Sequence, residues 1–226
     1  FNAPIHVHLD ETRVEHEDCL KKYGKTPTRY LYDLGLFDQR TVAAHCVWIT
    51  DEDIDLLAEK NVTIAHNPTS NLKLASGVAP VPRALNKGVN VILGTDGASS
   101  NNNLNMFEEI HLASLIQKGV NNDPLLINAK TVMRMATTNG AAALGAKDLG
   151  IIEAGAKADM ILVDLDKPHL MPLHNALSAL VYSAQGSDVY MTMVDGRILY
   201  ENGEFKTIDK EKVRYNIKKC CDRLFG

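Results

Sequence analysis

Short apolar runs recur along the first half of the chain, and each one closes on a histidine or an acidic residue. Runs of this length, rich in branched and small apolar residues, are typical of strands buried on both faces of a parallel sheet. Helical patterns separate them, and this alternation predicts βαβ units and an α/β fold. The predicted strands cover residues 5–9, 42–47, 62–66 and 89–93.

The stretches between and after these strands predict helices. Thr50 and Asp53 match a capping box, which predicts a helix that ends near residue 60. Residues 69–80 predict a loop with little helix, followed by a short helix over 81–87. An amphipathic helix is expected over 104–118. A further helical stretch is expected over 125–144, with an interruption near Gly140.

The pattern changes after residue 147. Turn residues there bound a short apolar strand over 158–164, and Asp195-Gly196 stands between two more apolar runs. Asp-Gly in that position is a strong signal for a two-residue hairpin. A closing helix is expected from Asp209 onward. We therefore divide the chain into a barrel-like part, residues 1–147, and a small β unit with a closing helix, residues 148–226.

The ends of the four predicted strands carry the residues best suited to chemistry. They are His8 with Glu11, then His45, His66 and Asp96. A lone histidine on an apolar strand is usually a packed core residue, but four successive strand ends of this kind favour a site. Neutral imidazoles and carboxylates are the ligands that Zn²⁺ and Fe²⁺ prefer, and catalytic groups of α/β barrels sit at the carboxyl ends of strands. The pattern therefore predicts a metal-centred active site.

Composition narrows the class of protein further. The 226 residues are 45% hydrophobic and 23% charged, with a formal net charge of -4. This charge gives no electrostatic reason to expect nucleic acid or an anionic membrane as partner. No apolar run approaches the roughly 20 residues that span a bilayer. The four cysteines form no metal-type pair and no disulfide framework, so we expect reduced thiols and a cytoplasmic protein.

Several motifs, in order, resemble the amidohydrolase superfamily and, within it, the cytosine-deaminase-like branch. They are VHLDET at 7–12, AHCV at 44–47, HNP at 66–68, SNLKLASG at 70–77 and LGTDG at 93–97. The resemblance covers essentially the whole chain. It implies the C-terminal half of a metal-dependent (β/α)8 TIM barrel, residues 1–147, and an accessory β domain, residues 148–226.

The resemblance also implies a role for each strand-end residue. His8 and Asp96 would bind one divalent metal ion, Zn²⁺ in the first place and Fe²⁺ as the alternative. Glu11 would hydrogen-bond the purine ring and shuttle a proton. His45 would orient the metal-bound hydroxide and the developing tetrahedral centre, and Asp96 would act as base. His66 would either line the substrate pocket or anchor the turn that follows it.

One motif of the family, a His-x-His pair, falls at a different place in this chain. The resemblance places two further metal ligands in a His-x-His motif on the first barrel strand, whereas His6-Val7-His8 falls on the fifth. The chain also opens on Phe1 rather than on methionine. We therefore expect it to be the C-terminal portion of an enzyme, completed by an N-terminal half of the barrel or isolated by cleavage.

The function that the resemblance implies is hydrolytic deamination of an adenosine-type nucleoside, with release of ammonia. Guanine deamination and chlorotriazine hydrolysis on the same scaffold are the enzymatic alternatives. A third hypothesis is an inactive fragment that lacks the first-strand ligands. The exact substrate, the metal and the oligomeric state, including a homo-oligomer, are left open by the sequence.

Overall fold

The computed structural model describes residues 3–226, and a parallel sheet organises their first half. Its strands are β1 (Ile5–Leu9), β2 (Thr41–His45), β3 (Thr63–His66) and β4 (Val91–Leu93), in the order β1-β2-β3-β4. All three pairings are parallel, with His8 opposite Ala44, Ala44 opposite Ala65, and Ala65 opposite Ile92. The predicted parallel sheet is confirmed, and all four strands end at the same edge.

Helices connect and follow these strands, as the alternating pattern predicts. They are α1 (Arg13–Tyr23), α2 (Pro27–Asp33), α3 (Asp51–Glu59), α4 (Pro68–Lys73), α5 (Val81–Asn86), α6 (Ala98–Asn101), α7 (Met106–Asn121), α8 (Ala129–Ala136) and α9 (Thr138–Leu144). The capping box is confirmed at the start of α3. The Thr50 hydroxyl accepts from the Asp53 N–H at 3.2 Å, and the Asp53 carboxylate accepts from the Thr50 N–H at 2.9 Å.

The prediction of a loop with little helix over residues 69–80 is wrong at its beginning, because α4 occupies Pro68–Lys73. Pro68 stands in the first turn, where its fixed φ and its missing N–H suit the start of a helix. The short helix turns Asn71 toward the interior, where it is 1% exposed. This inward amide becomes part of the candidate site.

The prediction of an interruption near Gly140 is wrong in its position. The break falls at Thr137, whose φ of −133° and ψ of −93° separate α8 from α9, while Gly140 lies inside α9. A glycine within a helix weakens it without having to end it. The break is therefore set by the backbone of Thr137 and not by the glycine.

A second, antiparallel sheet follows in the last third of the chain. Its strands are β5 (Met160–Val163), β6 (Val189–Val194), β7 (Arg197–Glu201) and β8 (Glu204–Phe205), in the order β5-β6-β7-β8. The predicted hairpin is confirmed between β6 and β7. Asp195 and Gly196 have φ of 49° and 75°. A tight turn of the primed type requires such positive values. Two helices, α10 (Ala176–Tyr182) and α11 (Lys210–Phe225), complete this part.

The main hydrophobic core combines one face of the parallel sheet with its helices. Leu9, Ile64 and Val91 from the strands pack in one cluster with Leu57 of α3 and Val132 of α8, each at most 2% exposed. Each such side chain contributes roughly 1.5–3 kcal/mol on burial. This core fixes the sheet, and the sheet fixes the edge at which the strand-end residues meet.

A smaller core links α7 to the second part of the chain. Phe107 packs with Leu170 and Ala184, and Val163 and Leu165 lie against them. The antiparallel sheet is therefore joined to the helices of the first part through apolar contacts. No helix within residues 3–226 combines the length and the apolar character that crossing a membrane requires.

Candidate active site

The backbone is strained at the edge where the parallel strands end. Asp10, His45, Cys46 and Asp96 have φ between 50° and 74°. These values lie in the left-handed region that residues other than glycine seldom adopt. Each such residue costs on the order of 1–3 kcal/mol, and strain of this kind clusters at functional sites. Four of the eleven non-glycine residues with positive φ within residues 3–226 thus lie at the strand ends to which the sequence assigns the chemistry.

Three of the strand-end side chains come together into a group that can hold a metal ion. One ligand atom from each of His8, Glu11 and His45 lies within 4.8 Å of the other two. The rings of His8 and His45 meet edge to face with centroids 5.1 Å apart, and Glu11 Oε2 lies 3.8 Å from His45 Nε2. Two imidazoles and a carboxylate form a donor set that suits a divalent transition metal.

His45 is oriented by an amide that the sequence did not single out. Its Nδ1–H donates to Asn71 Oδ1 at 2.8 Å, and both residues are 1% exposed. A donated Nδ1–H leaves the lone pair on Nε2. That nitrogen is buried and has no hydrogen-bond partner within residues 3–226. Nε2 is therefore a free acceptor or ligand atom facing Glu11 and His8.

Glu11 is held through both its side chain and its backbone. The Ser76 hydroxyl donates to Glu11 Oε1 at 3.2 Å, and the Trp48 indole N–H fixes Ser76 through its carbonyl at 2.8 Å. The Glu15 carboxylate accepts from the N–H groups of Asp10 and Glu11 at 2.9 and 2.8 Å. The second carboxylate oxygen of Glu11 is left toward His45.

Asp96 lies at the end of β4, on the same edge of the sheet, but outside the three-residue group formed within the described part of the chain. The Ser70 hydroxyl donates to Asp96 Oδ2 at 2.7 Å. Burial acts to raise the pKa of Asp96, but the Ser70 bond and neighbouring donors hold it below its ordinary value. His45 acts in the same direction as these donors. Asp96 is therefore an ionised carboxylate close to His45.

His66 is the most deeply enclosed of the predicted site residues. It is 1% exposed, and neither ring nitrogen finds a hydrogen-bond partner among residues 3–226. Burial, with the nearby His45 second, lowers the pKa of His66 from 6.5 to about 4. The ring is neutral at physiological pH, and its role in substrate binding stays a prediction.

Comparison with known proteins identifies the family of this chain. Residues 1–199 match the Amidohydrolase family, and the chain belongs to that family. A curated relative, the 5-methylthioadenosine/S-adenosylhomocysteine deaminase of Thermoanaerobacter pseudethanolicus, is 54% identical over 225 residues, which are 99% of this chain and 52% of the relative. The chain thus spans about half the length of the curated relatives it matches.

Solved structures give the same result. An adenosine deaminase from Xanthomonas campestris with bound zinc superimposes with a TM-score of 0.94 at 39% identity, over 97% of this chain and 50% of that one. The atrazine chlorohydrolase of Arthrobacter aurescens, complexed with zinc, gives a TM-score of 0.88 at 30% identity, over 95% and 48%. The fold of this chain is therefore the α/β fold of amidohydrolases.

Proposed function

We propose that this chain forms the C-terminal part of a metal-dependent aminohydrolase that deaminates 5-methylthioadenosine or S-adenosylhomocysteine and releases ammonia. The observation that carries the proposal is the group of His8, Glu11 and His45 at the strand ends, with the Nε2 of His45 unengaged. The names of the curated relatives supply the substrate class. Residues 1–147 would form half of a (β/α)8 barrel, and residues 148–226 an accessory β domain.

The metal would be held by His8 and Asp96, and zinc is the first candidate because similar solved structures contain it. The buried, unpaired Nε2 of His45 and the ionised state of Asp96 fit a cation at this edge. A bound divalent ion would lower the pKa of water to roughly 7 and so supply the nucleophile at neutral pH. Catalytic zinc normally has three or more protein ligands. We therefore assign the remaining ligands to the part of the relatives that this chain does not span.

The residues of this chain would supply the proton transfers. Glu11, in its protonated form, gives a proton to the ring nitrogen beside the amino-bearing carbon, which makes that carbon electrophilic. His45 Nε2 accepts a hydrogen bond from the attacking water and orients it. Asp96 takes the proton that the water loses and passes it to the departing amine. As ammonia leaves, the hydroxyl of the tetrahedral adduct returns a proton to Glu11, and the exchange balances.

The positions of these groups support those roles. Ser76 occupies Oε1 of Glu11, so Oε2 is the oxygen that faces His45 and can carry the proton. Positioned proton transfers of this kind contribute about 10²–10⁴-fold each to the rate.

Chlorotriazine hydrolysis is the second candidate function, favoured by the similarity to the atrazine chlorohydrolase. An inactive fragment is the third.

The test compares the 226-residue chain alone with a fusion enzyme. In the fusion enzyme, the part of the T. pseudethanolicus deaminase that this chain does not span is joined ahead of the 226 residues. Both are loaded with zinc and assayed with methylthioadenosine, adenosylhomocysteine, guanine and atrazine, for release of ammonia or chloride. We expect the fusion enzyme to release ammonia from the first two, and the chain alone to bind zinc weakly and to release none.

Substitutions in the fusion enzyme tie the activity to this chain. Asp96→Asn is expected to abolish turnover more completely than zinc binding, because an amide oxygen can still contact the ion but cannot accept a proton. His8→Gln should lose bound zinc, while the same change at the exposed His174 should not. Robust deamination by the chain alone, or near-normal turnover of zinc-loaded Asp96→Asn, would contradict the proposal.

A further inference from the structure

A carboxylate on α7 is buried without any place in the reaction described above. Glu109 is 0% exposed, whereas its neighbour Glu108 points to solvent. Burial raises the pKa of Glu109, and hydrogen bonds from Thr69 and Asn101 act in the opposite direction. A buried carboxylate is costly unless donors compensate it. The donors that Glu109 contacts therefore indicate its role.

The two oxygens of Glu109 reach two different short helices. Oε2 accepts from the backbone N–H of Thr69 at 3.2 Å, in the segment that follows β3. Oε1 accepts from the side-chain amide of Asn101 at 2.7 Å, in the segment that follows β4. One carboxylate thus links α4 and α6, the helices that follow two neighbouring strands of the parallel sheet.

Both helices contact Asp96 or the residue before it. Asn101 also donates to the carbonyl oxygen of Thr95 at 2.7 Å, and Thr95 directly precedes Asp96. Ser70, the residue after Thr69, donates to Asp96 Oδ2 at 2.7 Å. Asp96 itself has a φ of 58°. The surroundings must impose a strained conformation of this kind. The contacts of Glu109 therefore reach Asp96 from both of its sides.

We propose that Glu109 is a positioning residue that holds the carboxylate of Asp96 in place by linking α4 and α6, the helices that contact Asp96 and Thr95. The inference rests on the role given to Asp96 under the proposed function. A carboxylate is needed because both of its contacts are donors. A glutamine could satisfy only one of them, and would turn its own N–H groups toward the other.

The experiment compares Glu109→Gln with Glu108→Gln in the fusion enzyme. Removing a group that orients a metal ligand typically costs about 10–100-fold in metal affinity or activity. We expect Glu109→Gln to lower kcat and zinc affinity, measured by chelator competition, by about that factor with KM within about twofold. Glu108→Gln should change none of these. Asn101→Ala, which removes the amide that links Glu109 Oε1 to the carbonyl of Thr95, should lower kcat in the same way.

A second readout needs no activity. Amide hydrogen exchange of the 226-residue chain should speed up in residues 67–75 and 95–101 with Glu109→Gln. It should stay unchanged there with Glu108→Gln, because Glu108 accepts from Asn103 and not from these residues. Equal exchange in the two variants, or kcat and zinc affinity of Glu109→Gln within twofold of Glu108→Gln, overturns the inference. An unsubstituted fusion enzyme that binds no zinc and releases no ammonia counts against the proposed function instead, and the exchange comparison still decides whether Glu109 links α4 and α6.

Discussion

Replacing Asn71 by leucine should impair catalysis while leaving stability almost unchanged. Asn71 Oδ1 accepts the Nδ1–H of His45 at 2.8 Å in a fully buried setting and so selects the tautomer with a free Nε2. Leucine has a similar volume but no acceptor. The imidazole would then gain by moving its proton to Nε2, where it blocks the atom that faces Glu11.

The magnitude follows from the cost of an unpaired buried donor, which is about 1–3 kcal/mol. Since about 1.4 kcal/mol is a factor of ten, the preference for the native tautomer should fall by about 5- to 150-fold. The effect on unfolding is smaller, because Asn71 Nδ2 itself has no partner among residues 3–226. Leucine removes this unsatisfied Nδ2 donor, but it also leaves the Nδ1–H of His45 without its acceptor. The two changes should cancel to within about 1 kcal/mol.

The assay has three readouts. The ¹⁵N chemical shifts of the His45 ring, in selectively labelled protein, report which nitrogen carries the proton. Ammonia release by the fusion enzyme reports kcat, which we expect to fall by about 10–100-fold. Urea unfolding of the 226-residue chain reports stability. Asn86→Leu, at an exposed amide on α5, is the matched control and should change neither the tautomer nor kcat.

The reasoning would be refuted if Asn71→Leu kept His45 in the Nδ1–H tautomer and kcat within twofold of the unsubstituted enzyme. It would also be refuted if kcat fell only in proportion to the unfolded fraction, since the loss would then reflect folding and not the ring.

Two further predictions concern stability. The pKa of His66 falls from 6.5 to about 4 on folding. Between these two pH values, His66 is therefore protonated in the unfolded chain but not in the folded chain. Stability should therefore decrease as the pH falls through that window, by up to about 3 kcal/mol. Urea unfolding between pH 7.5 and 4.5 should show this for the native chain and less of it for His66→Leu, and identical pH profiles would contradict it. At Gly94, an added Cβ would collide with the Oδ1 of the buried Asn67. Gly94→Ala should therefore lower the free energy of unfolding by about 1–3 kcal/mol. Gly119→Ala, which meets open space in α7, should stabilise by up to about 1 kcal/mol, and equal effects of the two changes would count against this reasoning.

The parallel sheet could be predicted because its signal is local. Each strand is a short apolar run, and the residue types that end the runs are visible in the sequence without any tertiary information. The capping box at Thr50 and the hairpin at Asp195 are local in the same sense, since each depends on residues within four positions of one another.

The residues that support the site could not be predicted because their contacts are distant in sequence. His45 meets Asn71 across 26 positions, and Glu109 meets Thr69 across 40. Asn71 lies in helix α4, and the sequence signal for the start of that helix is Pro68. A proline shortly after a strand is, however, as typical of a loop as of a helix start. Glu109 sits beside another glutamate in an amphipathic helix, and nothing in that pattern indicates which of the two turns inward.

The register of β1 ties the chemistry of this protein to its hydrophobic core. Val7 and Leu9 pack into the core, while His6 and His8 alternate with them on the opposite face of the strand. A slip by one residue would bury both imidazoles and expose both apolar side chains. Any pairing that misplaces His8 is therefore penalised by the same forces that fold the chain.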